Sequence, residues 1–230
     1  MTVKTLQTLF RKTSTSTKDF KKLNWSGNFE QYLDIVYNNP RTARNAYQRL
    51  YDMIMSHGIE EVNYCNRTYT KYKFFDRERD ISIFGLEEPL MEFIDVLKSA
   101  ARSYGPERRI ILFHGPVGSA KSTIVTLLKK GLERYSRTEA GALYTFSWKI
   151  EDDDGNMQTI PCPMNEEPLK LLPNDIRARV LEDINSKLPE DDYTIKIDGN
   201  LSPLSEYYQQ MYLEKYNGDY MKVLNHIEIR

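Results

Sequence analysis

Apolar residues recur with helical spacing in two segments near the start of the chain. Tyr32, Leu33 and Val36 share one stripe, and a second stripe follows the break at Asn38-Asn-Pro40. The second stripe has the spacing i, i+3, i+4, i+7, i+11 and consists of Ala43, Ala46, Tyr47, Leu50 and Ile54. The pattern predicts a helical segment over residues 29–79. Residues 1–28 are basic and rich in hydroxyl groups, which is typical of a flexible arm.

The centre of the chain has the order strand, loop, helix. Residues Ile110 to Phe113 are four consecutive apolar residues, a run that predicts a strand buried on both faces of a parallel sheet. A loop containing two glycines follows at residues 115–120, and an amphipathic helix with Ile124 and Leu128 on its apolar side comes next. This order is typical of a nucleotide-binding α/β unit. Residues 80–230 are therefore predicted to form an α/β domain around a parallel sheet.

The last third of the chain predicts a hairpin and two helices. Alternating residues from Leu143 to Ile150 indicate a half-buried strand, and Asp154-Gly155 is a strong turn signal before a return strand at Met157–Ile160. Asn174 is expected to cap one helix. Ser202-Pro203 is expected to begin the next, with the serine at the N-cap position and the proline at the first helical position.

The segment Gly115-Pro-Val-Gly-Ser-Ala-Lys-Ser122 matches most of the phosphate-binding motif G-x-x-x-x-G-K-[ST]. The first glycine, Lys121 and Ser122 are in place, whereas Ala120 stands where the motif has its second glycine and an extra glycine occurs at 118. A methyl group at Ala120 is compatible with the loop if its φ is negative. The sequence therefore predicts a negative φ at Ala120.

This segment carries the predicted chemistry. Backbone N–H groups from Gly118 to Ser122 are expected to surround the β-phosphate of ATP, helped by the positive end of the following helix. Lys121 is expected to contact the β- and γ-phosphates, and the Ser122 hydroxyl to bind Mg²⁺. The candidate nucleotide ligands are Gly115, Pro116, Val117, Gly118, Ser119, Ala120, Lys121, Ser122 and Thr123.

A second half of the site, with paired carboxylates for magnesium and for the attacking water, is not evident in the sequence. Residues Glu151 to Asp154 follow a predicted strand, but an acidic run ending in Asp-Gly is better explained as a solvated turn. Asp198 precedes Gly-Asn and is also interpreted as a turn residue. His114 as a base and Cys162 as a reactive thiol are weaker hypotheses than a polar strand end and a small buried residue.

Charge and composition exclude several other classes of protein. The formal net charge of the 230 residues is −1, which disfavours nucleic acid as a partner, although the segment Tyr64 to Asp76 is aromatic and basic and could stack on bases. We favour packing of these aromatic residues within the fold. No apolar run approaches the ~20 residues of a membrane helix. Cys65 and Cys162 have no second Cys or His at metal spacing, so a reduced, cytoplasmic protein is expected.

Several longer motifs resemble the PrkA-type bacterial serine protein kinases. After Ile83-Phe-Gly-Leu-Glu-Glu88 and the loop GPVGSAKST come LLKKGLERYS, LYTFSW and CPMNEEPLKLLP, in order over roughly Phe84 to Arg177. The resemblance implies an AAA-like P-loop NTPase core, ATP with Mg²⁺, a protein substrate, a cytoplasmic bacterial setting and a role in stress or sporulation signalling. It also implies that Phe84 and Gly85 lie where AAA modules contact adenine.

The resemblance leaves the reaction open. Proteins of this type have been regarded as serine kinases and as AAA-type ATPases linked to proteolysis, and a nucleotide-sensing module without turnover is a third hypothesis. They are also much longer than 230 residues, so the resemblance implies that this chain is an N-terminal portion whose magnesium carboxylates lie beyond Arg230. An incomplete sheet would leave an apolar edge that favours self-association.

Overall fold

A computed structural model describes residues 24–64, 67–76, 83, 85–151 and 155–230. Most of the predicted N-terminal arm, together with Cys65, Phe84 and residues 152–154 of the acidic turn, lies outside the described residues. The helices are α1 (Phe29–Asn38), α2 (Ala46–Ser56), α3 (Glu87–Ala101), α4 (Lys121–Tyr135), α5 (Asn174–Ser186), α6 (Pro203–Lys215) and α7 (Tyr220–Leu224). The strands are β1 (Ile59–Tyr64), β2 (Arg67–Tyr72), β3 (Phe146–Glu151), β4 (Met157–Pro161) and β5 (Ile227–Ile229).

The chain divides into two compact units. The sheet unit comprises the described residues up to Ile35 together with Tyr144–Leu171 and Gly199–Arg230. The helical unit comprises Val36–Leu143 and Leu172–Asp198, and it contains the glycine loop. Each unit is built from segments that are distant in sequence, so neither could be delimited from local patterns alone.

The sheet unit is built on an antiparallel sheet with strand order β4-β3-β5. The predicted hairpin is confirmed, with Ser147 opposite Pro161 and Glu151 opposite Met157. The first strand of that hairpin begins later than the alternation suggested, at Phe146, and Leu143 is exposed. Trp148 is 1% exposed and its ring packs against three others: Phe146, Tyr208 and Tyr212.

The helical unit has its core between α2, α3 and α4. Buried side chains from all three helices meet there, namely Met53, Ile54, Leu90, Ile94, Leu97, Ile124, Leu127 and Leu128. Helix α2 begins with a capping box in which the Asn45 side chain accepts the N–H of Gln48 and the Gln48 side chain accepts the N–H of Asn45. Phe74 and Phe75, which follow the β1–β2 hairpin, are buried in the same core. The most apolar part of the aromatic segment therefore packs within the fold.

The predicted buried strand at residues 110–113 is wrong. The structure assigns no strand there, and the sheets formed by the described residues are antiparallel. Ile111 and Phe113 pack against the core, whereas Ile110 is 94% exposed and Leu112 is 82% exposed. A parallel strand is buried on both faces only when neighbouring strands and helices cover it, and the described residues supply cover on one face.

Among the described residues, none of the helices has the length and apolar character required to cross a membrane.

Candidate nucleotide-binding site

The loop at residues 115–120 leads directly into α4, as the motif predicted. Helix α4 begins at Lys121, and its first i→i−4 hydrogen bond runs from the N–H of Ile124 to the carbonyl of Ala120 at 2.9 Å. The amides of Lys121, Ser122 and Thr123 precede that bond, so they belong to the free N–H groups at the start of a helix. This positive end, on a helix of 15 residues, favours an anion in front of it.

The apolar stripe of α4 anchors this helix end in the core. Leu127 is 1% exposed and Ile124 is 6% exposed, and Ala120 packs against the same cluster. Val117 at the tip of the loop is fully exposed, and the Ser122 side chain is also exposed. The rigid end of the loop is therefore held by packing, while its tip and the serine hydroxyl face solvent.

The backbone of the loop corrects one prediction. Ala120 has φ 54° and ψ 13°, which is the left-handed conformation, whereas a negative φ was expected. Gly118 is left-handed as well, with φ 84°, and no atom lies within 4 Å of the position of a Cβ there. The loop turns twice through conformations that favour glycine, so Ala120 is strained where the motif has glycine.

The Lys121 side chain is folded back over its own loop. Its ammonium group donates to the carbonyl of Gly115 at 2.8 Å, to the carbonyl of Pro116 at 2.5 Å and to the hydroxyl of Ser119 at 2.8 Å. The Ser119 hydroxyl in turn donates to the carbonyl of Pro116 at 2.8 Å. The motif predicted that Lys121 lies in the loop, but nothing in the sequence signalled the contact with Ser119.

Gly85 lies at a separate feature of the helical unit. It lines a groove of about 510 Å³ together with residues of the β1–β2 hairpin and the start of α3: Val62, Tyr69, Lys71, Glu87, Glu88 and Pro89. Phe84, its predicted companion, is outside the described residues.

The carboxylates considered from the sequence have other surroundings. Glu151 ends β3 and lies 3.7 Å from the ammonium of Lys215, and Asp198 is exposed in a loop. Among the described residues there is no group of three or more His, Cys, Asp or Glu side chains that could hold a metal ion. Among the described residues, the predicted magnesium ligand is the Ser122 hydroxyl. The phosphates of bound ATP would supply further oxygen ligands to the ion.

The two remaining candidates have ordinary structural positions. His114 is exposed. Cys162 is 2% exposed, with its sulfur 3.4 Å from Oε2 of Glu166 and 3.7 Å from Oγ of Ser205. The interpretation of Cys162 as a small buried residue is confirmed by this burial.

A glycine-containing loop that positions Lys and Ser at the start of an amphipathic helix is typical of P-loop nucleotide-binding proteins. Comparison with known families agrees: the family described as PrkA AAA domain matches residues 27–227. The chain belongs to this family.

Two proteins illustrate the relationship. The chain is 37% identical over 198 residues to the ATP-dependent protease PrkA of Bacillus subtilis (strain 168), which covers 86% of this chain but 27% of that protein. It is 38% identical over 91 residues to an uncharacterized protein in the gldA 5′ region of Geobacillus stearothermophilus, covering 39% of this chain and 86% of that protein. No solved structure matches.

Proposed function

We propose that this chain binds ATP with Mg²⁺ through residues 115–123. The observation that carries the proposal is the position of Lys121, whose ammonium lies over the loop at the positive end of α4. A nucleoside triphosphate with magnesium is the ligand that fits a lysine, a hydroxyl and free backbone N–H groups at one helix end.

Each group has one role in this proposal. The amides from Gly118 to Ser122 bind the β-phosphate, Lys121 bridges the β- and γ-phosphates, and Ser122 binds magnesium. Phe84 and Gly85 contact the adenine. The support for the last role is the groove that Gly85 lines together with an aromatic residue, Tyr69.

We propose further that the whole protein uses this ATP to act on other proteins. The resemblance to PrkA-type serine kinases supports transfer of the γ-phosphate to a serine of a protein substrate. The name of the Bacillus subtilis relative, an ATP-dependent protease, favours a second reaction, in which hydrolysis drives the processing of a protein. Both reactions place ATP in the same loop, and a cytoplasmic setting remains a prediction for either.

The binding site is tested by Lys121→Ala, measured by titration calorimetry with MgATP. Loss of a charge-assisted contact to phosphate is expected to weaken binding by at least ~2 kcal/mol. Lys129→Ala is the matched control, because Lys129 is exposed on the same helix. Unchanged ATP affinity in Lys121→Ala would remove the proposal.

Ser122→Ala tests the magnesium role in the same titration. We expect ATP binding to be largely kept and its dependence on magnesium to be reduced, because the hydroxyl contacts the ion and not the phosphates. Equal affinity of the wild type for ATP with magnesium and with EDTA would contradict this role.

The two reactions are separated by following the γ-phosphate of labelled ATP in the full-length Bacillus subtilis relative. Label on a protein serine supports the kinase, whereas release of free phosphate together with cleavage of an unfolded protein such as casein supports the protease-linked ATPase. If neither product forms, both proposed reactions are contradicted.

A further inference from the structure

All three N–H donors of the Lys121 ammonium are used inside its own loop. An ammonium group has three N–H donors, and its three acceptors here are the carbonyls of Gly115 and Pro116 and the hydroxyl of Ser119. A phosphate oxygen can therefore bind Lys121 only after at least one of these contacts breaks. The acceptors of the loop and an incoming phosphate therefore compete for the same ammonium.

Ser119 differs from the other two acceptors because its contact comes from a side chain. The other two are backbone carbonyls, which a substitution at their positions would leave in place. The Ser119 hydroxyl makes two contacts at once: it accepts from Lys121 and donates to the carbonyl of Pro116, each at 2.8 Å. The hydroxyl thus links the lysine to the opposite side of the loop.

The loop is closed, in the sense that Gly115 and Ser119 near its two ends lie close together. Ser119 Oγ lies 3.0 Å from the position that a Cβ would occupy on Gly115, so the two ends of the loop approach each other closely. The N–H of Ser119 also points to the carbonyl of Pro116, at 3.4 Å. The hydroxyl is the stronger of the two links that Ser119 makes to Pro116, because its contact is shorter.

We propose that Ser119 is a positioning residue that holds Lys121 inside its own loop, in competition with phosphate, and so lowers the affinity of the site for ATP. The inference rests on the proposed function, and it adds that ATP binding must displace a contact that this serine makes. Because this contact must break before Lys121 can bind a phosphate oxygen, it reduces the fraction of molecules that are competent to bind ATP.

The proposal predicts that Ser119→Ala binds ATP more tightly than the wild type and associates with it faster. Removing the hydroxyl in Ser119→Ala leaves Lys121 with two acceptors, and a net contribution of a single hydrogen bond corresponds to about a three- to tenfold tighter ATP dissociation constant. The gain is expected in the association rate, because opening precedes binding. The dissociation rate is expected to change little, because the Ser119 contact is already broken in the complex.

The experiment measures stopped-flow binding of MgATP, in competition with a fluorescent ATP analogue, to the wild type, Ser119→Ala and Ser119→Thr. The threonine retains a hydroxyl and is expected to restore the slower association. Ser136→Ala is the control, since Ser136 directly follows α4 and its hydroxyl donates to the carbonyl of Glu133 in that helix at 2.9 Å. Weaker binding by Ser119→Ala would show that the hydroxyl contacts the nucleotide instead, and would overturn the proposal.

A second measurement needs no nucleotide. Acetylation of Lys121 by an N-hydroxysuccinimide ester, followed by mass spectrometry, reports how freely the ammonium leaves the loop. We expect Ser119→Ala to raise the acetylation rate of Lys121 severalfold relative to that of Lys129, and Ser136→Ala to leave it unchanged.

The two measurements distinguish the possible failures. An unchanged acetylation rate in Ser119→Ala overturns the proposed contact whether or not ATP binds. A raised acetylation rate in a protein whose wild type binds no ATP overturns the proposed function and the affinity effect that depends on it. A raised rate with unaltered ATP association overturns the competition between Ser119 and the phosphate.

Discussion

Ala120 shows most clearly how a single residue departs from the motif. Its left-handed backbone, with φ 54°, costs an L-residue roughly 1–2 kcal/mol relative to its preferred conformations. The residue is held there because it follows the turn at Gly118 and immediately precedes α4, whose core-facing side is buried. The strain is therefore imposed by the packing of the helix that the loop must reach.

Ala120→Gly is expected to stabilise the protein. Relief of the left-handed strain outweighs the added entropy of glycine in the unfolded chain, ~0.4–1 kcal/mol, and leaves a net gain of up to about 1 kcal/mol. A gain of that size corresponds to a rise of roughly 2–4 °C in Tm for a chain of this length. Ala142→Gly is the matched control and should lower the Tm, because Ala142 has φ −56°. A lower Tm for Ala120→Gly would contradict the left-handed assignment.

At the scale of single elements, the start of helix α6 is held by a residue from a distant part of the chain. Helix α6 begins at Pro203 with Ser202 at the N-cap position, as predicted, but the Ser202 hydroxyl donates to Oε2 of Glu166 at 2.7 Å. The N–H of Ser202 donates to Oε1 of the same carboxylate at 2.9 Å. A carboxylate 36 residues earlier in the chain thus anchors the start of the helix.

His226, just before β5, packs on the aromatic face of α6. Its ring stacks on Tyr212 with centroids 4.1 Å apart, and its Nε2 lies 2.7 Å from the hydroxyl of Tyr216. Burial lowers the pKa of His226, and the charge of Lys215 lowers it further, against the opposing effects of the Lys149 backbone and Glu151. The sheet unit therefore favours the neutral imidazole.

The lowered pKa of His226 predicts a loss of stability in mild acid. The unfolded chain takes up the proton first, so the contribution of His226 is complete above a pH of about 6.5 and is lost as the pH falls through the lower pKa of the folded state. We expect His226→Gln to reduce the slope of unfolding free energy against pH below about 6.5 in urea titrations. His114→Gln, at an exposed position, is the control. An unaltered slope in His226→Gln would contradict the prediction.

At the scale of the whole molecule, the segment before the loop has an uncovered apolar side. Ile110 and Leu112 alternate with the packed residues Ile111 and Phe113, so both exposed side chains lie on the same side of an extended segment. Exposed apolar surface of this kind promotes association. We expect the double variant Ile110→Thr/Leu112→Thr to reduce self-association in sedimentation velocity.

The matched control for this experiment is Met221→Thr, which replaces an exposed apolar side chain on α7, in the sheet unit. Equal sedimentation of the double variant and the wild type would show that this surface does not mediate association.

The 230-residue chain by itself is expected to bind ATP without turning it over at a useful rate. Phosphoryl transfer depends on positioning and charge neutralisation, and loss of one such element commonly costs ~10²–10³-fold. The described residues place Glu151 beside Lys215 and leave Asp198 exposed, and they form no cluster of acidic or histidine ligands for a metal ion. A phosphate-release assay beside the full-length Bacillus subtilis relative measures the difference. Equal rates would mean that Glu151, Asp152 or Asp198 supplies the carboxylate after all.

The sequence by itself determined the features that depend on neighbouring residues. The spacing of apolar residues predicted α4, and Ser202-Pro203 predicted the start of α6. The Asp154-Gly155 turn predicted the β3–β4 hairpin, and the glycine loop predicted Lys121 at a helix start. These features could be predicted because helix stripes, turns and the first residues of a helix are set by residues within a few positions of one another. The predicted Asn174 cap is wrong, because Asn174 is already the first helical residue of α5 and Pro173 holds the N-cap position.

Only the tertiary structure decided the features that depend on distant segments. The anchoring of α6 by Glu166 and the exposure of Ile110 follow from which surfaces meet after folding. The left-handed Ala120 and the contact between Ser119 and Lys121 are local, but they depend on the path that the loop takes into the packed helix α4. A run of apolar residues indicates that burial is favourable but does not say which neighbours are available to cover it. The sequence therefore predicted a buried strand before the loop. It did not reveal that the described residues cover this segment on one side only.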